Sequence, residues 1–528
     1  MSVKWRKADH QAAKAWAIIP MPPIMGMINT TSPQSRPAQS SGNSRSMITQ
    51  KRSPYRLITD KQLAGLRARE DALFQKRTRK SKETFDKAQE MLLNGVPMPW
   101  MGDWGTSHPI FVSKASGNRV TDIDGNEYVD FCLGDTGAMF GHSPQATAEA
   151  VAKQVRQGIT TMMPTEDALG IGEELGRRFG LPLWQVAMTA TEANRYVIRI
   201  CRTLTGRPKV LSMNECYHGS LDETLPHIGA DGKLELRSDY DINPGLPKDL
   251  LSRVVEFNDV EALERELAHE DCACVLTEPV MTNCGMVLPA PGYHEKLREL
   301  CTKYGTYVVL DETHTFSNGY GGYTKAYGLK PDFITLGKSI AGGIPVAVYG
   351  FTREVAERIN ASFGRKSVSD PMGISGTLSG NAFAIAAMRE TLTKVATEEA
   401  FEKMFAGQKR LSDGLDAVLE RHNIPWSVTR SGARCELQFM PTLPKNGSEA
   451  KNHFDWELMY YTHLFLTNRG LLITPFHNMM LIPPVATEAD IDLLIKGWDD
   501  CLAEIAELGR ENSSSPARGE RGRRASSG

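Results

Sequence analysis

The chain reads as an α/β protein, with a mainly parallel sheet in a large central part and a smaller α+β part drawn from both chain ends. Three observations predict this. Beyond Pro144, short β-rich runs ("QVAMTA", "KVLSMN", "CACVLTEPV", "TYVVLDE", "DFITLGK", "VAVYGF") alternate with helical stretches such as "GYHEKLRELCTKYG". Such alternation argues for parallel strands covered by helices on both faces. Before it, "GNRVTDIDGNEYVDFC" has the pattern of an antiparallel hairpin turning at Asp124-Gly125-Asn126. After it, from about Thr391, a long helical stretch leads into a smaller region that ends near Leu508.

Each part follows in order. Residues 1–60 hold few acids and a Ser/Pro/Gln-rich stretch, "TTSPQSRPAQSSGNSRS", and are expected to be a disordered extension. A mitochondrial presequence and a start at Met47 are the alternatives. Residues 61–145 supply a polar helix over about Leu63 to Asn94 and the hairpin, both assigned to the small domain. Residues 146–390 form the large domain, 391–508 the rest of the small one, and 509–528 a low-complexity tail.

Bulk properties exclude several classes. With 528 residues, 41% of them hydrophobic, the chain can bury a large core, and its net charge of −2 gives no electrostatic reason to bind nucleic acid or a membrane surface. No apolar run is long enough to span a bilayer, because Pro20, Pro22 and Pro23 break "AWAIIPMPPIMGMI". The nine cysteines form no C-x-x-C pair, which fits free thiols in a reducing compartment, and a cytoplasmic location is expected.

Two charged residues close apolar runs. Asp311 ends "YVVLD", and Lys338 stands between "FITLG" and the glycines of "AGGIP". Buried charges at strand ends need partners. One reading is a structural Asp–Lys pair. The other is pyridoxal phosphate chemistry, in which a lysine forms a Schiff base and an aspartate partners the pyridinium nitrogen. In a mainly parallel sheet both side chains lie where ligands bind, outside the carboxyl ends of the strands.

The ordered motifs "VTDIDGNEYVDF…GAMFGHSP", "TATEANRYVIRICRTLTGRPKV", "ECYHGSLDE", "TEPVMTNCG", "VVLDETHTF", "PDFITLGKSIAGGIP" and "GTLSGNAFAIAA" resemble the class III aminotransferases. These are fold type I, pyridoxal-phosphate-dependent enzymes, and the pattern is most similar to the branch containing glutamate-1-semialdehyde aminomutase. The resemblance runs from about Leu93 to Leu508. It implies that Lys338 holds the cofactor and shuttles the proton, that Asp311 keeps the ring nitrogen protonated, and that Tyr217 stacks on the ring, with His218 beside it. It implies that Thr189, Ala190 and Thr191 bind the phosphate at a helix N-terminus, joined by Thr377 from the other subunit of a homodimer or larger assembly. His314, Glu278 and Asn283 are expected around the cofactor.

Departures from the family pattern touch the cofactor's surroundings and, with more consequence, the substrate's. Ala190 stands where glycine is usual, Thr313 where valine is usual, His314 where glutamine or methionine is frequent, and Ala382 where proline is usual. An arginine expected to bind the substrate carboxylate of the aminomutases is replaced by Met101 in "GVPMPWM". Trp100, Met101, Thr136, His477 and Asn478 are expected on the substrate side, with Arg434 as the candidate carboxylate clamp. The expected activity is therefore ping-pong transfer of an amino group from an amine or amino acid to an oxo acid or aldehyde. An intramolecular aminomutase and a non-catalytic protein on the same fold are the alternatives.

Overall fold

The structure, a computed structural model, describes residues 52–236, 247–363 and 373–514. The presequence, the alternative start and most of the expected N-terminal extension fall outside these residues, as does the tail from 515 onward.

Helix α1 (Asp60–Arg77) opens on a capping box in which Thr59 and Gln62 bond reciprocally. One long helix to Asn94 was the expectation, but Thr78 interrupts it (φ −121°, ψ 44°) and α2 (Arg79–Ala88) follows. The Thr78 hydroxyl donates to the Phe74 carbonyl at 2.7 Å and lies 2.9 Å from buried His108 Nε2, so this residue is held out of helical geometry. Three antiparallel strands come next: β1 (Val112–Ser116), β2 (Arg119–Asp122) and β3 (Glu127–Asp130).

Two helices, α3 (Gln145–Val155) and α4 (Asp167–Phe179), lead into the large sheet. Its strands are β4 (Leu183–Ala187), β5 (Lys209–Met213), β6 (Ser252–Val255), β7 (Cys272–Thr277), β8 (Tyr307–Asp311), β9 (Phe333–Leu336) and β10 (Ala347–Phe351). The spatial order is β4-β10-β9-β8-β7-β5-β6. Only β10 runs against its neighbours β4 and β9. The carboxyl ends of the other strands therefore share one edge. Alternate residues feed two cores. Leu276, Val309 and Phe333 pack with Val197 and Cys201 of helix α5 (Ala190–Thr205) on one face, while Val275 and Val308 pack with Leu263 and Leu297 on the other. All nine cysteines are buried free thiols.

The C-terminal part carries the long helix Glu398–His422, then β11 (Ser427–Ser431), β12 (Arg434–Gln438), β13 (Leu471–Leu472) and β14 (Met479–Leu481). Strand β13 pairs with β3, so segments from both chain ends share one sheet. Two expected boundaries are corrected. The last helix spans Glu488–Ser514, so residues 509–514 belong to it and not to a tail. At the other end Arg56 Nε bonds Asp455 at 2.6 Å and Ile58 is buried, so 52–59 is anchored chain and not free extension. No helix among the described residues is long and apolar enough to cross a membrane.

Candidate active site

At the shared strand edge lies a cavity of about 560 Å³. Strand β8 delivers Asp311 to its floor, the turn after β9 delivers Lys338, β7 leads to Glu278, and β4 leads into the first turn of α5.

The Asp311 carboxylate is tied on three sides. Asn194 Nδ2 donates to Oδ2 at 2.9 Å, His218 Nδ1 lies 2.9 Å from the same oxygen, and the Thr313 N–H donates to Oδ1 at 3.1 Å. Burial alone favours the neutral acid, but the bonds from His218, Thr313 and Asn194 outweigh it and hold the carboxyl at about 2. For His218, burial opposes the charge, while Cys216 and Asp311 raise the imidazole well above its ordinary value. The alternative reading, a structural Asp311–Lys338 pair, is not what the structure shows. Asp311 bonds His218 and Asn194, and Lys338 has another carboxylate.

That carboxylate is Asp135. Lys338 Nζ donates to its Oδ2 at 2.7 Å and also bonds His314 Nε2. Lys338 itself adopts φ +51°, a left-handed conformation uncommon for a side chain and concentrated at functional sites. The other imidazole nitrogen, His314 Nδ1, bonds Thr282 Oγ1, which donates to Glu278 Oε2 at 2.5 Å. Asn283 Nδ2 donates to Glu278 Oε1 at 3.1 Å. Burial, then the Lys338 charge, pushes His314 down to about 4, so it is neutral near pH 7. Burial raises Glu278. A chain of exchangeable protons thus runs Lys338–His314–Thr282–Glu278. Sequence reasoning missed Asp135 and Thr282.

Around the far wall stand Thr189, Ala190, Thr191, Tyr217 and Gly219. Thr189 caps α5 by accepting the Glu192 N–H at 3.2 Å, which leaves the first-turn N–H groups of Ala190 and Thr191 without partners inside the helix. Gly219 (φ +89°) can be nothing larger, since a Cβ there would lie 1.9 Å from Thr191 Oγ1. The Trp100 ring meets Tyr217 edge-on at 5.5 Å and Phe476 at 5.2 Å, and Met101 lies beside it on the cavity wall.

Four expected substrate residues do not line this cavity. Arg434 is buried behind it, donating from Nε to Ser317 Oγ at 2.9 Å and from Nη2 to Thr136 Oγ1 at 2.5 Å. Thr136 is covered in turn. His477 Nδ1 lies 3.1 Å from the buried Glu436 carboxylate, and Asn478 donates to the Leu437 carbonyl at 3.0 Å. Arg434, Thr136 and Asn478 are spent on internal hydrogen bonds, and His477 is enclosed beside Glu436. Thr377 is exposed and does not line this cavity.

These residues fit pyridoxal phosphate. Asp311 stays ionised at the floor, where a ring N–H needs an acceptor. The α5 N-terminus offers N–H groups to a phosphate dianion. Two buried polar atoms of cavity-lining residues, His218 Nε2 and Thr313 Oγ1, make no well-formed hydrogen bond within the protein.

Comparison with known proteins agrees. The model of the family Aminotransferase class-III matches residues 101–502. Over 435 residues the chain is 30% identical to glutamate-1-semialdehyde 2,1-aminomutase of Persephonella marina, covering 81% of this chain and 99% of that protein. A glutamate-1-semialdehyde-aminomutase structure from Pseudomonas aeruginosa PAO1 superposes with TM-score 0.83 and 47% identity, covering 85% of this chain and 99% of that one. A lysine-to-alanine form of the same protein has been solved in complex with PMP. An omega-transaminase from Sphaerobacter thermophilus superposes with TM-score 0.72 and 26% identity, covering 80% and 97%. With a family model spanning most of its length and a fold type I architecture, the chain belongs to the class III aminotransferases, enzymes that depend on pyridoxal phosphate.

Proposed function

We propose that this protein transfers an amino group between two substrates, an amine donor and an oxo or aldehyde acceptor, through pyridoxal phosphate attached at Lys338. The observation that carries the reading is the placement of one amine, Lys338 Nζ, in the same cavity as an ionised, triply bonded Asp311 and a free helix N-terminus. When bound, the cofactor supplies a carbonyl that condenses with amines and a ring that withdraws electrons from the neighbouring carbon. Asp311 would hold a proton on the ring nitrogen. The N–H groups of Ala190 and Thr191 would bind the phosphate. Tyr217, braced by Trp100, would stack on the ring and exclude water. Lys338 Nζ would be the point of attachment and, once freed, would hold and move the proton at the substrate carbon, with His314 beside it to accept or return a proton.

A second reading is favoured by the relatives, which carry the name glutamate-1-semialdehyde aminomutase. There the amino group moves within one molecule. Met101 weighs against that substrate, because glutamate-1-semialdehyde keeps a carboxylate and this position offers it no charge.

Two measurements test the proposal. Borohydride reduction of the loaded enzyme followed by peptide mapping should place the cofactor label on Lys338, and Lys338→Ala should lower turnover by at least about 10⁴-fold while still binding cofactor noncovalently. A label on another lysine ends the reading. Glutamate-1-semialdehyde supplied alone separates the two forms. Sustained turnover without a second substrate establishes the intramolecular one.

A further inference from the structure

We infer that this cavity takes a primary amine bearing an apolar or aromatic group and no carboxylate, and that Asp135 is the residue that discriminates. The inference rests on the amino-group transfer reading and names its substrate class.

The charge census comes first. Among the described residues that line the cavity, Lys338 is the only lysine or arginine, against the acids Asp135, Glu278 and Asp311. The nearest guanidinium, Arg434, gives Nε to Ser317 and Nη2 to Thr136, while its Nη1 lies 3.0 Å from the Met479 sulfur. Reaching a substrate requires breaking bonds in a fully enclosed site. A substrate carboxylate entering from the mouth therefore finds no free cation among these residues. It meets an apolar wall of Met98, Trp100, Met101, Trp104 and Phe476, with an acid behind it. The wall itself suits a ring or an aliphatic chain.

Asp135 supplies the second half. It sits in a run of left-handed residues, Leu133 (φ 52°), Gly134 (58°), Asp135 (49°) and Thr136 (83°). Three of these four are L-residues in a conformation that each pays for sterically, so the turn is held by its surroundings. It aims a carboxylate, with 22% of the side chain exposed, at the nitrogen where chemistry starts. While Lys338 is a free ammonium the two neutralise each other. Once that nitrogen is bonded to the cofactor it loses donors, and Asp135 keeps the His314 ring, 3.7 Å away, in place of an ammonium beside the point of substrate entry. An incoming ammonium restores the pair. An incoming carboxylate places like charges together, and that is rejection by repulsion as well as selection by attraction.

The test uses the loaded enzyme and a pair of unreactive probes that differ by one carboxylate. N,N-dimethyl-2-phenylethylamine and N,N-dimethylphenylalanine are tertiary amines, which form no imine with an aldehyde, so calorimetry reads binding alone. The amine should bind at least about tenfold tighter than the amino acid. Asp135→Asn should bring the ratio within about threefold, and Met101→Arg should raise affinity for the amino acid. Equal binding, tighter binding of the amino acid, or no binding of either at millimolar concentration overturns the substrate class. A ratio unchanged in Asp135→Asn overturns the part assigned to Asp135. Failure of the Lys338 label is read beforehand on the same preparation and counts against amino-group transfer itself, so the two failures are distinguishable.

Discussion

The floor of the cavity and its mouth are held by different means. At the floor, Asp311 ends a strand of the large sheet and is bonded by Asn194 of the helix packed against it, and by His218 and the Thr313 backbone in the segments that follow β5 and β8. At the mouth, Trp100 and Met101 are 40% and 46% exposed and sit on a short 3₁₀ turn, Pro99–Gly102, outside any strand. A cofactor makes the same demands in every relative: an acceptor for its ring nitrogen, donors for its phosphate, an amine for its carbonyl. Such demands favour rigid, fully bonded side chains. A substrate pocket is free to change, and loops carry it because their residues alter without disturbing the sheet.

The comparison predicts that damage at the floor is chemical and damage at the mouth is selective. The largest effect should follow Asp311→Asn, because a neutral amide no longer stabilises the ring proton. Single-turnover proton abstraction should fall by about 10²–10³-fold, measured by stopped-flow absorbance, with the fold intact by circular dichroism. A loss of only a few-fold removes Asp311 from the chemistry. The same carboxylate predicts a pH effect in the cofactor-free protein. Its value falls from 3.8 to about 2 on folding, so its stabilisation is present above about pH 4 and is lost as pH drops toward 2. Denaturant titrations across that window should show about 2 kcal/mol of decline, part of which is missing in Asp311→Asn.

A smaller effect should follow Thr377→Ala. We propose that this exposed threonine completes the floor of a partner subunit's cavity in a homodimer. Losing a hydroxyl bond to a charged phosphate should weaken cofactor binding about ten- to a hundredfold. Mixed dimers of Lys338→Ala and Thr377→Ala at limiting cofactor should regain activity, because one of their two sites carries neither defect. Proven subunit exchange without recovery assigns Thr377 elsewhere.

The smallest effect should follow Thr313→Val, which removes a buried hydroxyl that has no partner within the protein. The cofactor-free protein should gain up to about 1 kcal/mol while cofactor affinity drops a few-fold. Unchanged affinity in the variant moves that hydroxyl from the cofactor's surroundings to the substrate's.

The floor was legible in the sequence because a charge that ends an apolar strand is a local signal. Asp311 follows "YVVL" and Lys338 follows "FITLG", and the strand pattern alone puts both at one sheet edge. Asp135 gave no such signal. It lies 203 positions from Lys338, in "LGDTGAMFGH", and only a left-handed turn brings the two together. Arg434, Thr136, His477 and Asn478 erred in the opposite sense. Their segments do pass near the cavity, but β12 is buried throughout and directs Arg434 inward, where Ser317 and Thr136 receive it. Sequence position predicts the neighbourhood of a side chain better than its direction. The broken N-terminal helix has the same origin, since Thr78 is an ordinary helix residue until buried His108 lies beside its hydroxyl.

The nine buried thiols carry a further consequence. Cys201, Cys272, Cys274 and Cys301 lie against the large sheet, whereas Cys435 and Cys501 lie in the C-terminal core. Folded, they are shielded from alkylating reagents, so modification waits for the chain to open around each one. Mass spectrometry of partly alkylated protein then becomes a stopwatch for opening that needs no engineered label. If both groups react at one rate, the sheet and the C-terminal core come apart in a single event. If the C-terminal pair reacts first, that core opens while the floor of the cavity is still closed.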